Sequence, residues 1–252
     1  MAALLAGTAA GCKTTRNAET TGTIAGAPPV LAQGAGRGEI DAIGARHRAN
    51  PRDTNAAIQY AQALRAAGQR AQAVAVLEQA AIHHPRNHAL LGAYGRALAD
   101  VGNHTQALDV LNRAHVPDRP DWRILSVQGT VLDQLGRHDE AQRYYATALR
   151  SAPNDASVLS NLGLSYALSK NLDKAETTLR RAAALPNADP RVRQNLALVV
   201  GLRGRFAEAE GIARADLPAE EAAANVATLR RMLAEQGAQP RQGRAPRSNS
   251  RS

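Results

Sequence analysis

The stretch NLGLSYALSKNLDKAE, residues 161–176, carries a glycine at 163 and an alanine twelve residues later, with a short polar turn between them. The same arrangement recurs along the chain, with no insertion, at the interval that separates Gly129 from Gly163. At the place of the glycine, the five copies have only small residues: Ala61, Gly95, Gly129, Gly163 and Ala197. At the place of the alanine, every copy has alanine: Ala73, Ala107, Ala141, Ala175 and Ala209. A fixed period of this length predicts a solenoid of stacked helix pairs.

Each copy has the features of two helices of about 12–14 residues joined by a short turn. Seven residues after the small position, every copy except the fourth has glycine, which tolerates a positive φ angle and ends the first helix. The fourth copy has Lys170 at this place. We predict a half-repeat at 39–52, five repeats at 54–87, 88–121, 122–155, 156–189 and 190–223, and a capping helix at 219–236 that Gly237 closes. Residues 237–252, rich in Arg, Ser, Gly and Pro, are predicted to form a disordered basic tail.

These residues resemble the tetratricopeptide repeat, whose pattern has a small residue at position 8 and alanines at positions 20 and 27. Pro51, Pro85 and Pro153 match the proline that the family places near position 32. The fifth copy departs from the pattern, since Asp216 stands where alanine is expected, and we expect it to act partly as a cap. The resemblance implies an all-α fold, a right-handed superhelical solenoid of tandem helix hairpins, which binds proteins and is not an enzyme.

Composition and charge agree with a helical scaffold. Hydrophobic residues make up 44% of the chain but aromatic residues only 3%, and small apolar side chains suit close packing of helices. Of the net charge of +9, four positive charges lie in residues 237–252 and a net three in residues 13–52. The repeats are therefore nearly neutral. Because nucleic-acid binders carry basic charge on their folded surface, we expect no nucleic acid as a partner.

The N-terminus, MAALLAGTAAG followed by Cys12, resembles the end of a bacterial lipoprotein signal, in which the cysteine becomes lipidated. Ala9 stands where that family usually has leucine, and no basic residue precedes the apolar run, so the resemblance implies a truncated signal at 1–12. Residues 13–38 have the polar composition of a flexible tether. The resemblance implies lipidation of Cys12 and a place on the periplasmic face of the outer membrane. The chain would then meet the membrane only through the lipid anchor.

The sequence contains no recognisable catalytic or metal-binding motif. Only His84 and His88 have the spacing of a helical ligand pair, and Pro85 between them prevents a common helical face. The glycine-rich residues 34–38 lack the Gly-Lys-Ser/Thr of a phosphate loop. We therefore predict no enzyme activity, no metal and no cofactor.

The remaining candidate site is the concave groove, which the family resemblance places on the first helix of each repeat. Mapping the groove positions predicts eight partner-binding residues: Gln59, Gln62, Arg65, Arg96, Arg123, Asn161, Arg191 and Asn195. Asn161, Arg191 and Asn195 match three of the five places at which some family members clamp a C-terminal carboxylate, whereas Ser126 and Thr130 replace the expected Lys and Asn. The alternative is a polar groove for an extended or helical segment, whose Arg and Asn side chains bind carbonyls or acidic groups.

The combination of a Cys near the N-terminus, a polar tether and five repeats resembles the tetratricopeptide lipoproteins of the tight-adherence (Flp) pilus machinery. This resemblance implies an assembly factor that binds pilus or secretin components without turnover. A soluble cytoplasmic adaptor or co-chaperone is the alternative, and it requires an unmodified N-terminus.

Overall fold

The computed structural model describes residues 37–238, and within this range all regular structure is α-helical. The predicted signal-like segment, nearly all of the tether and the residues from 239 onward lie outside the described residues. The helices are α1 Arg37–Ala49, α2 Thr54–Ala66, α3 Arg70–His83, α4 His88–Asp100, α5 His104–Ala114, α6 Trp122–Gln134, α7 His138–Ser151, α8 Ala156–Leu168, α9 Leu172–Ala183, α10 Pro190–Leu202, α11 Phe206–Ala213 and α12 Ala219–Ala238.

The helices form five antiparallel hairpins, one for each predicted repeat: α2–α3, α4–α5, α6–α7, α8–α9 and α10–α11. Each second helix also packs against the first helix of the next hairpin, so the hairpins stack in chain order. The all-α solenoid class predicted from the sequence is confirmed. Helix α1 takes the place of a second helix before the first hairpin, and α12 takes the place of a first helix after the last one.

First and second helices lie at different distances from their equivalents in the neighbouring hairpins. The first helices α2, α4, α6, α8 and α10 contact one another in sequence, whereas within residues 37–238 no second helix contacts the next second helix. A stack whose first helices are closer together than its second helices must curve toward the first helices. We call the surface formed by these five first helices the groove.

Small residues allow the two helices of a hairpin to approach closely. A Cβ atom built on Gly95 would lie 2.5 Å from Leu111 Cγ, and one on Gly163 would lie 2.6 Å from Leu179 Cγ. The alanine at the facing position of each second helix is fully buried in all five hairpins. Packing of this kind leaves no space for a large side chain, which explains why only small residues recur at this position.

An acidic or amide residue caps the first helix of every hairpin. The caps recur with the period of the repeats, and each side chain accepts a hydrogen bond from a backbone N–H of the first turn: Asp53, Asn87, Asp121, Asp155 and Asp189. Each cap is worth about 1 kcal/mol relative to alanine. This second periodic signal is visible in the sequence beside the small residues and the turn glycines.

Two helix boundaries differ from the sequence prediction. Helix α1 begins at Arg37, two residues before the predicted Glu39, and α12 continues through Gly237 to Ala238. A glycine in a last helical turn costs only about 1 kcal/mol relative to alanine, which the preceding turns of α12 can sustain. Among the described residues, no helix has both the length and the apolar character needed to cross a membrane.

Candidate functional site: the groove of first helices

All eight residues predicted to bind a partner lie on first helices. Gln59, Gln62 and Arg65 lie on α2, Arg96 on α4, Arg123 on α6, Asn161 on α8, and Arg191 and Asn195 on α10. Gln59, Gln62 and Arg123 are exposed, and the other five are half-buried. The structure therefore distributes these residues along the whole groove and does not gather them at one point.

Two asparagines make the same contact one repeat apart. Asn161 Nδ2 donates to Ser126 Oγ of the preceding first helix at 3.5 Å, and Asn195 Nδ2 donates to Ser160 Oγ at 3.0 Å. Because each bond joins neighbouring first helices, both amide groups lie on the groove face. In the described part of the chain, neither Oδ1 atom has a hydrogen-bond partner. The groove thus presents two equivalent amide groups whose orientation the serines fix.

The other two positions of the carboxylate clamp are occupied by groups that are already bonded within the protein. Thr130 Oγ1 donates to the carbonyl of Ser126 at 3.1 Å and lies 3.2 Å from the hydroxyl oxygen of Tyr145. Ser126 Oγ is the acceptor for Asn161. Since Ser126 and Thr130 stand at these two positions in place of Lys and Asn, a complete carboxylate clamp is not assembled.

The groove between the first and third repeats is positively charged. Arg65 Nε donates to Asp100 Oδ2 at 2.5 Å, which joins α2 to α4. Arg96 lies one turn before Asp100 on α4, and within residues 37–238 it makes no ion pair. Burial lowers the pKa of Arg96, and the Arg65 guanidinium lowers it further. The guanidinium of Arg123 lies over the ring of Trp122, 4.4 Å from its centroid.

A polar cluster that the sequence did not predict lies between the third and fourth repeats. The Asp133 carboxylate accepts hydrogen bonds from Ser165 Oγ at 2.7 Å and Tyr145 OH at 3.1 Å, and it contacts His138 Nδ1 at 2.9 Å. Burial raises the pKa of Asp133, although these three bonds oppose the change. The histidine and the serine both contact the carboxylate, and no contact joins them to each other. The arrangement therefore joins α6, α7 and α8 and lacks the serine-to-histidine bond of a nucleophile and its base.

In the range 37–238, no group of three or more His, Cys, Asp or Glu side chains is placed to hold a metal ion. His84 is the C-cap of α3 and His88 begins α4, so the two histidines lie on different helices.

The fold defines an α-helical repeat protein in which every first helix contributes at least one of the eight predicted polar residues to the groove. Two family profiles, both described as tetratricopeptide repeat, match residues 64–127 and 127–190. The chain belongs to the tetratricopeptide repeat family. A comparison with curated protein sequences found no match.

Solved structures share the fold at low sequence identity. A thermophilic tetratricopeptide protein of Thermus thermophilus is 25% identical, with a TM-score of 0.59 over 72% of this chain and 97% of that one. PilW, a type IV pilus biogenesis factor, is 16% identical, with a TM-score of 0.67 over 75% of this chain and 90% of that one. YrrB, a tetratricopeptide protein with an unusual peptide-binding site, is 18% identical, with a TM-score of 0.50 over 79% of this chain and 98% of that one.

Proposed function

We propose that this protein is a non-catalytic scaffold that holds an extended segment of a partner protein in the groove. The proposal rests on the amide groups of Asn161 and Asn195, which lie one repeat apart. Hydrogen bonds to Ser126 and Ser160 fix their orientation. An amide can donate to a peptide carbonyl and accept from a peptide N–H at the same time. Amides repeated along a groove therefore suit the backbone of an extended chain, whose donors and acceptors also repeat.

The proposal extends to a place in the cell and a kind of partner. We assign the chain to the periplasmic face of the outer membrane, anchored through lipid on Cys12, where it assists assembly of a pilus or its secretin. Support comes from the lipoprotein-like residues around Cys12, from the resemblance to TadD of the tight-adherence pilus system, and from the likeness in fold to PilW. The partners would be pilus or secretin components.

The location is tested by the mass and fractionation of the mature protein expressed from its native locus. We expect Cys12 to be N-terminal and to carry a diacylglyceryl group and an N-acyl chain, in the outer-membrane fraction. An unmodified N-terminus in the cytosol would refute the anchor and leave a cytoplasmic adaptor or co-chaperone.

The role of the groove is tested with the double variant Asn161→Ala and Asn195→Ala in a strain that lacks the native gene. We expect normal amounts of protein but a severalfold loss of assembled secretin or surface pili, because the backbone of the partner loses two bidentate contacts. The matched control is Asn154→Ala, since Asn154 is exposed in the turn between α7 and α8 and lies outside the groove. Equal assembly in all three strains would contradict binding through the asparagines.

A further inference from the structure

The positively charged part of the groove contains three arginines from three successive first helices. We call Arg65 of α2, Arg96 of α4 and Arg123 of α6 the arginine site. Arg96 is half-buried at its centre, and the charges of both other arginines act on it. The side chains of α4 that precede it on the groove face, Ala89 and Ala93, are small.

The two carboxylates near Arg96 are engaged elsewhere. Asp100 accepts from Arg65, and Asp121 accepts from the backbone N–H of Arg123 at 2.8 Å, where it caps α6. Both act on Arg96 from beyond ion-pair distance, since within residues 37–238 no carboxylate lies within 4.0 Å of it. A half-buried guanidinium without a carboxylate has lost part of its hydration and gained no ion pair in return. Its five N–H donors fit a carboxylate better than any other common side-chain group.

We propose that the arginine site binds the acidic side chains of an extended partner segment, with Arg96 making the bidentate contact. This inference rests on the proposed function of the groove and adds the chemistry of the partner. The undescribed parts of the chain cannot supply the acidic segment, because residues 1–36 contain one acidic residue, Glu19, and residues 239–252 contain none. We assign the acidic segment to a partner protein. Asp and Glu side chains at alternate positions of such a segment would face Arg96 and its neighbours.

The test uses a fluorescent peptide that alternates five Glu with five Ser, acetylated and amidated so that only side chains carry charge. Fluorescence anisotropy compares it with the matching Gln–Ser peptide on the full chain. We expect a clear preference for the Glu peptide, which Arg96→Gln reduces about tenfold or more, as for other charge-assisted bonds. A third peptide with a free C-terminus tests whether a terminal carboxylate replaces the side chains.

The matched control is Arg150→Gln, because Arg150 is exposed on the second helix α7 and makes no ion pair within the described residues. We expect this variant to bind the Glu peptide like the parent. An equal loss in both variants would show general attraction by net charge and would overturn the inference. Equal binding of the Glu and Gln peptides to the parent would also overturn it, as would binding only of the peptide with a free C-terminus.

Thermal unfolding of Arg96→Met separates binding from a role in the fold. We expect its Tm to be equal to or above that of the parent, because methionine covers the same surface without a half-buried charge. A Tm below that of the parent would mean that Arg96 stabilises the stack, and the inference would fail. If the arginine tests fail while the Asn161 and Asn195 variant still loses assembly, the scaffold proposal stands and only the acidic partner is refuted.

Discussion

Gly129 faces the ring of Tyr145 across the third hairpin, where a Cβ atom would lie 2.6 Å from Cε1. The ring is held in place, because its hydroxyl donates to Asp133 Oδ2 at 3.1 Å and lies 3.2 Å from Thr130 Oγ1. We expect Gly129→Leu to lower the free energy of unfolding by about 1–3 kcal/mol through overpacking. Urea unfolding followed by circular dichroism measures this change.

The control for Gly129 is another helical glycine with free space around it. Gly211 is exposed on α11, and a Cβ atom there would meet nothing within 4 Å. We expect Gly211→Leu to raise stability by up to about 1 kcal/mol, since leucine is a better helix former than glycine. Equal effects of the two substitutions would show that the hairpins are not in the register described.

Lys170 occupies the turn position at which the other four repeats have glycine. Its φ angle is 64°, against 73° to 83° at the four glycines, so the backbone is left-handed in every repeat. A side chain in this conformation costs about 1–2 kcal/mol, and Lys170→Gly should therefore raise stability by about 1 kcal/mol. Lys170→Ala keeps the cost and should leave stability within about 0.5 kcal/mol of the parent. If Lys170→Ala stabilised the protein as much as Lys170→Gly, the left-handed backbone would not be the source of the cost at Lys170.

Single residues that recur in every repeat can be predicted from the sequence, whereas residues with a role in only one repeat cannot. The small positions and the turn glycines recur with the period because every hairpin imposes the same contacts. The Asp133 cluster and the half-buried, unpaired state of Arg96 occur in one repeat only, and they depend on side chains from neighbouring helices. A pattern read along one chain does not contain such contacts between elements.

Between helices, the last two hairpins are joined by a charge network around Glu176 of α9. Its side chain is only 3% exposed and accepts from Arg180 of the same helix, Arg205, and Arg203 Nη1 at 2.7 Å. Burial alone would raise the pKa of Glu176, but the hydrogen bond from Arg205 and the three positive charges outweigh it and lower the pKa. The carboxylate therefore stabilises the junction of α9 with the fifth hairpin only while it is ionised.

We expect Glu176→Gln to lower the free energy of unfolding at pH 7 by about 1–2 kcal/mol, because the arginines lose their shared partner while remaining partly solvated. A carboxyl with a lowered folded-state pKa contributes fully above the unfolded value, about 4.3, and loses its contribution as the pH falls through the folded value. The difference between parent and variant should therefore shrink below about pH 4. Glu235→Gln, at an exposed site on α12, is the control. A difference independent of pH would contradict the ionic role.

The terminal helices carry charged residues where the internal hairpins have small ones. Glu39 and Arg46 of α1 stand one repeat period before the buried Ala73 and Ala80, and Arg231 of α12 stands one period after Ala197. All three charged side chains are exposed. They cover the faces that would otherwise accept a further hairpin helix, as polar ends do in repeat proteins.

We expect the triple variant Glu39→Ala, Arg46→Ala and Arg231→Gly to self-associate head to tail more strongly than the parent. In that arrangement α12 of one copy and α1 of the next would form a hairpin like the internal ones. Analytical ultracentrifugation over a concentration series measures the association, with Arg150→Ala as a control for loss of surface charge. Identical sedimentation of the triple variant and the parent would mean that the charges do not cap the stack.

The fold of the whole molecule can be predicted from the period of the repeats, whereas the identity of the partner protein cannot. Each hairpin contacts only its neighbours, so one repeating pattern determines the hairpins, their order and the face that the first helices share. The eight predicted groove residues all lie on those helices because their positions follow from the same period. In the function that we propose, partner choice depends on the few positions that differ between repeats, such as Arg96 and Asn195, because the fold does not require one residue type there.

The central claim, that the groove is the partner-binding surface, is tested most directly by site-specific photo-crosslinking in the native cell. A photoreactive residue replaces Gln62 or Gln194, which are exposed on the first helices α2 and α10. As controls, it replaces Ala75 or Ala146, which are exposed on the second helices α3 and α7. We expect both groove positions to crosslink to the same partner protein, and we expect the second-helix positions not to crosslink to it. Crosslinks to that partner from Ala75 and Ala146, with none from Gln62 and Gln194, would contradict the central claim.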